Sequence, residues 1–517
     1  MRTHTPQLET LQRTLRKALR PEETHSSRRQ FLRTAVGAAA ALSTPSTQAA
    51  PSSSSLRVGI VGAGLAGLAC ADELRKVGIR ATLYEASDRA GGRCFSMSGS
   101  SLFPGQVIER GGELIDNLHK TMLGYVKEFR LTLEDVGKQP GELFYYFPDI
   151  SKDRIPEAKI VEEFRAFVPA MRADLRRLSP QPNALRYTPD DQWLDHMSLK
   201  QYLETRGAGP IAKRAIEQAY VAEYGRSADE QSCLNFLLFI HADRRSTFTP
   251  FGVFSDERYH VVEGNDAIPR GLAARLEPGQ LLTGRTLTAA ALAPDGKAVR
   301  LTFAGGKTVD HDVVVFAVPF STLAMVDLKG LNLPKTKVDA IQTLGYGHNA
   351  KMMVGFTRPY WRDAGSNGTS YSNLVNHQLT WETNPTRANG SRAVLTDYSG
   401  GPRGKNLNVL PVQPTAELFL SDLERVYPGA GLHVRRDAAK NIAVHREHWP
   451  SNPLSRGSYT CYLPGQFTTV AGHEGSSAGN IFFAGEHTDS FYEWQGFMEG
   501  ALRSGIATAK SIVGKGR

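Results

Sequence analysis

The first clear pattern in the chain is an apolar run, a glycine-rich turn and a helix-like repeat. Leu56–Val61 is apolar and β-branched, which is typical of a buried strand. Gly62–Gly67 follows directly, and apolar residues at helical spacing then predict a helix over Leu68–Val77. A second apolar run, Ala81–Tyr84, predicts the next strand. This order predicts the beginning of a doubly wound α/β sheet.

Later segments change from helical to strand-like spacing. Residues 155–245 alternate charged faces with apolar positions and predict mainly helices. Between Leu281 and Val309 the residues alternate and glycine turns interrupt them, which predicts a β-meander. Val313–Pro319 and Asn480–Ala484 predict buried strands, and Arg270–Leu276 predicts a helix. The pattern therefore predicts a second, α+β region interleaved with the first sheet.

Composition narrows the class of protein. The chain has 517 residues, of which 41% are hydrophobic and 22% charged, a balance typical of globular proteins long enough for two domains. The net charge is +9, but the first 50 residues hold eight Lys/Arg and three Asp/Glu, which leaves only about +4 elsewhere. A weakly basic remainder argues against nucleic acid as a partner. Four scattered cysteines suggest neither a zinc site nor a disulfide framework, and no uninterrupted apolar stretch predicts a mature membrane span.

The N-terminus predicts an export signal. Arg28 and Arg29 precede a mildly apolar run, Ala35–Leu42, and a small-residue pattern that ends near Ala49. Paired arginines before a weak apolar core resemble a twin-arginine signal, whose export machinery would then be a partner. We expect residues 1–50 to be a signal region, residues 51–55 to be a linker, and the mature protein to be periplasmic or secreted.

The first glycine turn predicts a dinucleotide site. In a G-x-G-x-x-G turn between strand and helix, Gly62 permits the tight turn, Gly64 lets the backbone approach a pyrophosphate, and Gly67 lets helix and strand pack closely. The phosphates would lie at the helix N-terminus, around Ala66. Glu85 ends the second strand, where a carboxylate can bind ribose hydroxyls.

The residues that follow resemble the flavin amine oxidase family. The run Glu85–Arg93 ends in a second glycine pair and an arginine, and Glu109–Ile115 carries a third glycine motif, Gly111-Gly112-Glu113. The resemblance implies FAD as cofactor, with Arg93 near its pyrophosphate and the third motif beside the flavin ring. Val262–Pro269 is similar to a further glycine–asparagine segment of the family.

The C-terminal end resembles the part of the family that returns to the cofactor. Gly485 and Glu486 end a strand, and a second segment enters a helix near Met498. The resemblance implies a Rossmann-like, GR2-type FAD-binding domain with a doubly wound sheet, interleaved with an α+β substrate domain. The expected FAD-binding parts are residues 51–115, 256–324 and 451–517, and the expected substrate-domain parts are the mainly helical 116–255 and 325–450.

The same resemblance implies the reacting residues. Lys351 matches a family lysine that hydrogen-bonds a water at the reactive flavin nitrogen, and Tyr459 matches an aromatic that flanks the substrate amine. Phe497 stands at a second aromatic position, with Trp494 nearby. Ser458 occupies the position where monoamine oxidases attach FAD through cysteine, so we expect noncovalent FAD.

The expected reaction is oxidation of the C–N bond of an amine or L-amino acid to an imine, with molecular oxygen reduced to hydrogen peroxide. Snake L-amino acid oxidases bind the substrate carboxylate with an arginine that has no counterpart after Glu113; Arg110 is a substitute close in sequence, and Glu113 could instead favour a cationic substrate tail. Two alternatives stay open: a tryptophan 2-monooxygenase-like conversion of an amino acid to an amide, and a non-catalytic flavin-binding scaffold. The sequence leaves the substrate, the electron acceptor and the oligomeric state, a homodimer included, undetermined.

Overall fold

Eighteen strands and fifteen α-helices are found in the parts of the chain that this computed structural model describes, which are residues 56–240, 258–385, 387, 392–489 and 494–515. The predicted signal region and linker lie outside them. In chain order the strands are β1 Val58–Val61, β2 Thr82–Tyr84, β3 Ser96–Ser98, β4 Val107–Glu109, β5 Leu133–Asp135, β6 Glu142–Tyr146, β7 Tyr259–Val261, β8 Leu281–Leu282, β9 Leu287–Leu292, β10 Val299–Phe303, β11 Thr308–His311, β12 Val313–Phe316, β13 Ala350–Phe356, β14 Ser366–Leu374, β15 His377–Glu382, β16 Ala393–Ser399, β17 Val444–His448 and β18 Ile481–Phe483.

The helices follow the same order. They are α1 Leu65–Lys76, α2 Lys120–Glu128, α3 Glu157–Arg177, α4 Pro189–Asp195, α5 Leu199–Thr205, α6 Pro210–Tyr224, α7 Cys233–Ile240, α8 Ala267–Ala273, α9 Phe320–Leu323, α10 Lys335–Thr343, α11 Gly401–Asn406, α12 Val412–Val426, α13 Ala430–His433, α14 Gln466–Thr469 and α15 Met498–Lys515. None of the helices in the described ranges is both long and apolar enough to cross a bilayer.

A five-stranded parallel sheet forms the first layer, in the order β18-β12-β1-β2-β8. All four residues of β1 are buried, as expected for the centre of a parallel sheet. Its strands come from three distant parts of the chain, and α15 packs against α1 so closely that a Cβ on Gly505 would lie 2.1 Å from the Ala66 carbonyl oxygen. The predicted α/β fold with a doubly wound sheet is confirmed.

A six-stranded sheet forms the second layer, in the order β17-β13-β16-β15-β14-β6. Its neighbours are antiparallel except β14 and β6, which run parallel. The helices α3 to α7 pack beside it around a large apolar cluster. The predicted meander is the three-stranded antiparallel sheet β9–β11.

Two predicted helices begin earlier than expected. The first begins at Leu65 and not at Leu68, because the residues of the glycine turn already form the first helical turn, with the Leu68 amide donating to the Gly64 carbonyl over 3.0 Å. The helix predicted from Arg270 begins at Ala267. Glycine spacing alone does not show where a helix of this kind begins.

Candidate functional site

One cavity of about 750 Å³ runs from the first parallel strands to the six-stranded sheet. Its wall contains residues from both layers and from the C-terminal segment. Fourteen of the sixteen residues predicted for the site line it: Gly62, Gly64, Ala66, Glu85, Arg93, Gly111, Gly112, Glu113, Lys351, Tyr459, Gly485, Glu486, Phe497 and Met498. The chain therefore brings together segments that are far apart in the sequence.

The glycine turn forms one end of the cavity. Gly62 has a φ of +101°, a conformation that L side chains rarely adopt, and a Cβ there would lie 2.7 Å from the Ala317 carbonyl oxygen. A Cβ on Gly64 would meet no atom within 4 Å, because this residue faces the cavity. The N-terminus of α1 is thus open to a ligand, and its amides and dipole favour a phosphate there.

Gly67 has a different place from the other turn residues. It is not among the described residues that line the cavity, and a Cβ there would lie 2.0 Å from the Gly62 carbonyl oxygen. Its small size lets α1 pack against β1, which is the packing role that the motif predicts. It supports the binding turn and does not face the ligand space.

Glu85 holds the turn as well as lining the cavity. One carboxylate oxygen accepts from the Ala63 amide at 2.8 Å, and the other accepts from the amide and the hydroxyl of Ser87, each at 2.9 Å. The carboxylate therefore connects the end of β2 to the glycine turn beside β1.

Arg93 and Glu486 connect the two ends of the chain. The Arg93 guanidinium lies 3.0 Å from one Glu486 oxygen and also donates to the Ser458 carbonyl. The other Glu486 oxygen accepts from the Gly496 amide at 2.7 Å and from the Thr460 hydroxyl at 2.9 Å. Burial alone would raise the pKa of Glu486, but the Arg93 charge and these hydrogen bonds hold it below its usual value. The carboxylate is therefore ionised, and it fixes the position of Gly496 just before α15.

Hydrogen bonds from Asn265 fix the backbone of the third glycine motif. The Asn265 side-chain amide donates to the carbonyls of Gly112 and Glu113, at 3.0 and 2.7 Å, and its backbone amide donates to the Glu109 carboxyl at 2.9 Å. Burial raises the pKa of Glu109 to about 8. A Cβ on Gly112 would lie 2.8 Å from the Met498 side chain, so the motif lies against the beginning of α15.

Lys351 lies in the part of the cavity wall that the six-stranded sheet forms, on the buried strand β13. Its ammonium donates to Glu113 at 2.6 Å and to the carbonyls of Gly111 and Glu109 at 2.8 and 3.2 Å. The second Glu113 oxygen accepts from the Trp381 indole at 2.8 Å. Both Glu113 oxygens are thus engaged by the protein, so the carboxylate is a partner of Lys351 and not a free receptor for a cationic substrate tail.

Aromatic rings surround this part of the cavity. Tyr398 is the register partner of Lys351 on β16, and its ring meets the Trp381 ring edge-on at a centroid distance of 5.4 Å. The hydroxyls of Tyr398 and Tyr459 lie 2.8 Å apart, and Tyr459 donates onward to the Glu223 carbonyl at 2.5 Å. Phe497 completes the wall. The arrangement offers aromatic faces to a small substrate.

Trp494 differs from its sequence prediction. It is buried but is not among the described residues that line the cavity. Its ring packs 5.4 Å from the His119 ring and lies under the Arg503 guanidinium. His119 also packs against Phe497, at 5.1 Å, so Trp494 lies behind the aromatic wall.

Arg110, the sequence-predicted substitute for a carboxylate clamp, lines the cavity but is paired. Its Nε donates to Glu447 at 2.5 Å, and its guanidinium lies 4.1 Å above the Phe95 ring. Glu447 is the register partner of Lys351 on β17. A substrate carboxylate would therefore compete with Glu447 for this guanidinium.

Comparisons with known proteins agree with this geometry. The model of the flavin-containing amine oxidoreductase family matches residues 65–513. The chain belongs to this family. It is 26% identical to an L-amino acid dehydrogenase of Synechocystis sp., over 92% of this chain and 98% of the relative. It is 22% identical to the L-amino-acid oxidase of Pseudechis australis, over 88% and 86% of the two chains.

Solved structures share the fold of this flavin-containing amine oxidoreductase. An engineered putrescine oxidase has a TM-score of 0.75 at 22% identity, covering 89% of this chain and 99% of its own. The cyclohexylamine oxidase of Brevibacterium oxydans has a TM-score of 0.74 at 20% identity, with the same coverage. At these identities the likeness concerns the fold.

The residues of the cavity fit FAD, the cofactor of the family. The open side of Gly64 at the α1 N-terminus would hold the pyrophosphate, and Glu85 would reach the ribose. The third glycine motif and the beginning of α15 would lie along the flavin, whose negative charge on reduction a helix N-terminus favours. As a member of this family, the protein is an FAD-dependent amine oxidoreductase.

The sequence interpretation missed Trp381 and Tyr398. Both lie in strands whose side chains reach the cavity only through the register of β13, β15 and β16. The alternation of each strand shows two faces, but not which face meets the cofactor domain.

Proposed function

We propose that this protein is an exported oxidase that converts an amine or an L-amino acid to an imine and passes the electrons to molecular oxygen, which gives hydrogen peroxide. The observation that carries the proposal is the meeting of Lys351 and the Tyr398–Tyr459 pair with the dinucleotide-binding turn in one cavity. Bound FAD would supply the two-electron acceptor for the carbon next to the nitrogen.

The residues of the chain itself orient the substrate and keep water out of the cavity. The aromatic faces of Trp381, Tyr398 and Tyr459 orient an amine and exclude water, and Lys351 provides a fixed positive charge in the wall. Relatives named L-amino-acid oxidase and L-amino acid dehydrogenase support an amino-acid substrate.

A peroxidase-coupled assay tests the proposal directly. The purified full chain is first examined for a flavin absorbance spectrum and then offered L-amino acids, monoamines and polyamines. Peroxide from one of these groups is the expected result. A colourless protein would contradict FAD binding, and a yellow protein whose flavin no substrate bleaches without oxygen would support the scaffold alternative.

A second candidate concerns the electron acceptor. The relative from Synechocystis is named a dehydrogenase, which favours an acceptor other than oxygen. Flavin bleaching by substrate, followed by slow reoxidation in air and fast reoxidation by an added quinone, would support this candidate. An amide product with release of carbon dioxide would instead support the monooxygenase-like alternative.

Two further parts of the proposal have their own tests. Ser458 cannot form a thioether, and its hydroxyl donates to the Asn349 side chain at 2.6 Å, so denaturation is expected to release FAD into solution. Replacing Arg28 and Arg29 together by Lys is expected to keep the protein in the cytoplasm. Unchanged export of that variant would contradict the twin-arginine route.

A further inference from the structure

The Lys351 ammonium has an acceptor for each of its three hydrogens. These acceptors are Glu113 Oε2 at 2.6 Å, the Gly111 carbonyl at 2.8 Å and the Glu109 carbonyl at 3.2 Å. An ammonium group carries three donors and no acceptor. Lys351 is only 5% exposed, so the protein, and not bulk water, solvates this charge.

Glu113 is held as firmly as the lysine it binds. Its second oxygen accepts from the Trp381 indole at 2.8 Å, and the residue is 8% exposed. Glu113 belongs to the loop after β4, whereas Lys351 and Trp381 belong to β13 and β15. The carboxylate therefore joins the third glycine motif to two strands of the six-stranded sheet.

The charges at this place compensate each other. A buried ammonium or a buried carboxylate without a partner is costly, whereas a hydrogen-bonded pair of both is tolerated. Met353, two residues after Lys351 in β13, lies on the same face of the strand. Its apolar side chain cannot pair with the ammonium. Glu113 is the carboxylate within bonding distance of Lys351 among the described residues.

We propose that Glu113 is a positioning residue for Lys351, which holds the ammonium against the carbonyls of Glu109 and Gly111 as a compensated charge in the cavity wall. The inference rests on the proposed function, because it takes the flavin to occupy this cavity. Removing the carboxylate frees one hydrogen and leaves the positive charge uncompensated.

Sulfite binding measures this charge without turnover. Sulfite is an anion that adds to oxidised flavin and bleaches its absorbance, so its dissociation constant responds to charge beside the flavin. In the full-length FAD-loaded protein, Glu113→Gln is expected to tighten sulfite binding about tenfold, because the ammonium loses its counter-charge. In the Lys351→Met background the same change is expected to alter the constant less than about twofold, since an unpaired buried carboxylate takes up a proton and carries no charge.

Glu447→Gln is the matched control. It removes a carboxylate from the same cavity, but one that is paired with Arg110. Its effect on sulfite binding is expected to be equal in the parent and in the Lys351→Met background, because Glu447 pairs with the Arg110 guanidinium and not with the Lys351 ammonium. Glu113→Gln effects that were equal in both backgrounds, or absent from both, would overturn the proposal.

Other outcomes separate this inference from its basis. A parent protein that holds no FAD contradicts the proposed function. A yellow parent in which Glu113→Gln has the same effect on sulfite binding with and without Lys351 contradicts the inference alone. Should Glu113→Gln not retain FAD, Glu113→Asp replaces it, since its shorter side chain keeps the charge but draws it away from the ammonium. A smaller tightening that depends on Lys351 is then expected, and one that does not depend on it counts against the proposal.

Discussion

The Arg93 guanidinium and the Glu486 carboxylate lie 3.0 Å apart, although 393 positions separate them in the chain. Glu486 also accepts from the Gly496 amide, so a single carboxylate joins the second glycine motif to the segment before α15. Charge-assisted hydrogen bonds of this kind are stronger than neutral ones and fix geometry. The cofactor site therefore depends on an ion pair between the two ends of the chain.

Replacing Glu486 by Gln is expected to weaken FAD binding roughly tenfold, because Arg93 loses its charged partner and the loop before α15 loosens. Titration of the apoprotein with FAD, followed by flavin fluorescence, measures the effect. Asp312→Asn is the matched control, since Asp312 forms an exposed pair with Arg57 outside the cavity. Equal FAD affinity in the two variants would contradict the assigned place of Glu486.

Substitutions of two glycines in the first motif are expected to have different effects, one on FAD binding and the other on stability. Gly64→Ala places a methyl group in the ligand space, so FAD binding should weaken at least about tenfold while the apoprotein unfolds at an unchanged temperature. Gly67→Ala forces a contact with the Gly62 carbonyl and should cost about 1–3 kcal/mol of stability. Thermal unfolding and FAD titration of both variants separate the two effects.

Lys351→Met is expected to slow turnover roughly 100-fold, because the variant removes the ammonium that holds Glu113 and the third glycine motif where the flavin would lie. Rapid mixing without oxygen measures flavin reduction, and mixing the reduced protein with oxygen measures reoxidation. Lys337→Met is a matched control: Lys337 is also buried, but it donates to the carbonyls of His473 and Glu474, outside the cavity. Steady-state rates that stay at the parent level in Lys351→Met would rule out its role.

Phe497 and Trp494 are expected to differ in their effect on substrate. Phe497→Ala removes part of the aromatic wall and should raise KM roughly tenfold. Trp494→Phe alters packing against His119 behind that wall, so kcat/KM should stay within about twofold of the parent. A larger loss of kcat/KM in Trp494→Phe than in Phe497→Ala would contradict the arrangement.

Glu109 makes stability depend on pH. Its pKa is about 8 in the folded protein and ordinarily 4.5, so between these values the folded chain keeps a proton that the unfolded chain has released. The free energy of unfolding therefore falls as pH rises through this window, by roughly 3 kcal/mol up to pH 7. Urea unfolding of the parent and Glu109→Gln at pH 5 to 8 measures this: the difference between the two proteins should change with pH, and a constant difference would contradict the raised pKa.

The sequence was most informative where local chemistry decides the structure. The β1–turn–α1 unit and the buried strands β12 and β18 follow from apolar runs and glycines that need no distant partner to be interpreted. Lys351 was identified through its match to a lysine of the family, and its burial on β13 requires a charged partner. The identity of that partner, Glu113, depends on a contact across 238 positions and has no local pattern.

The aromatic wall shows the opposite case. Tyr398 reaches the cavity because β16 pairs with β13 in one particular register, and a shift of one residue would turn it away. Trp494 was wrongly predicted to line the cavity for a related reason. Its closeness to Phe497 in the sequence does not show whether its ring faces the cavity or packs behind the wall. Pairing between distant strands is therefore what the sequence pattern could not supply.

The three-part parallel sheet also sets an order of events during synthesis. The edge strand β18 leaves the ribosome about 420 residues after β1, the first strand of the same sheet. At ~5–20 residues per second, that delay is roughly 20–80 s. Until then the edge of β12 that pairs with β18 has no partner strand. Because Gly485, Glu486 and Met498 line the cavity, the cofactor site is complete only after this last segment has been synthesised.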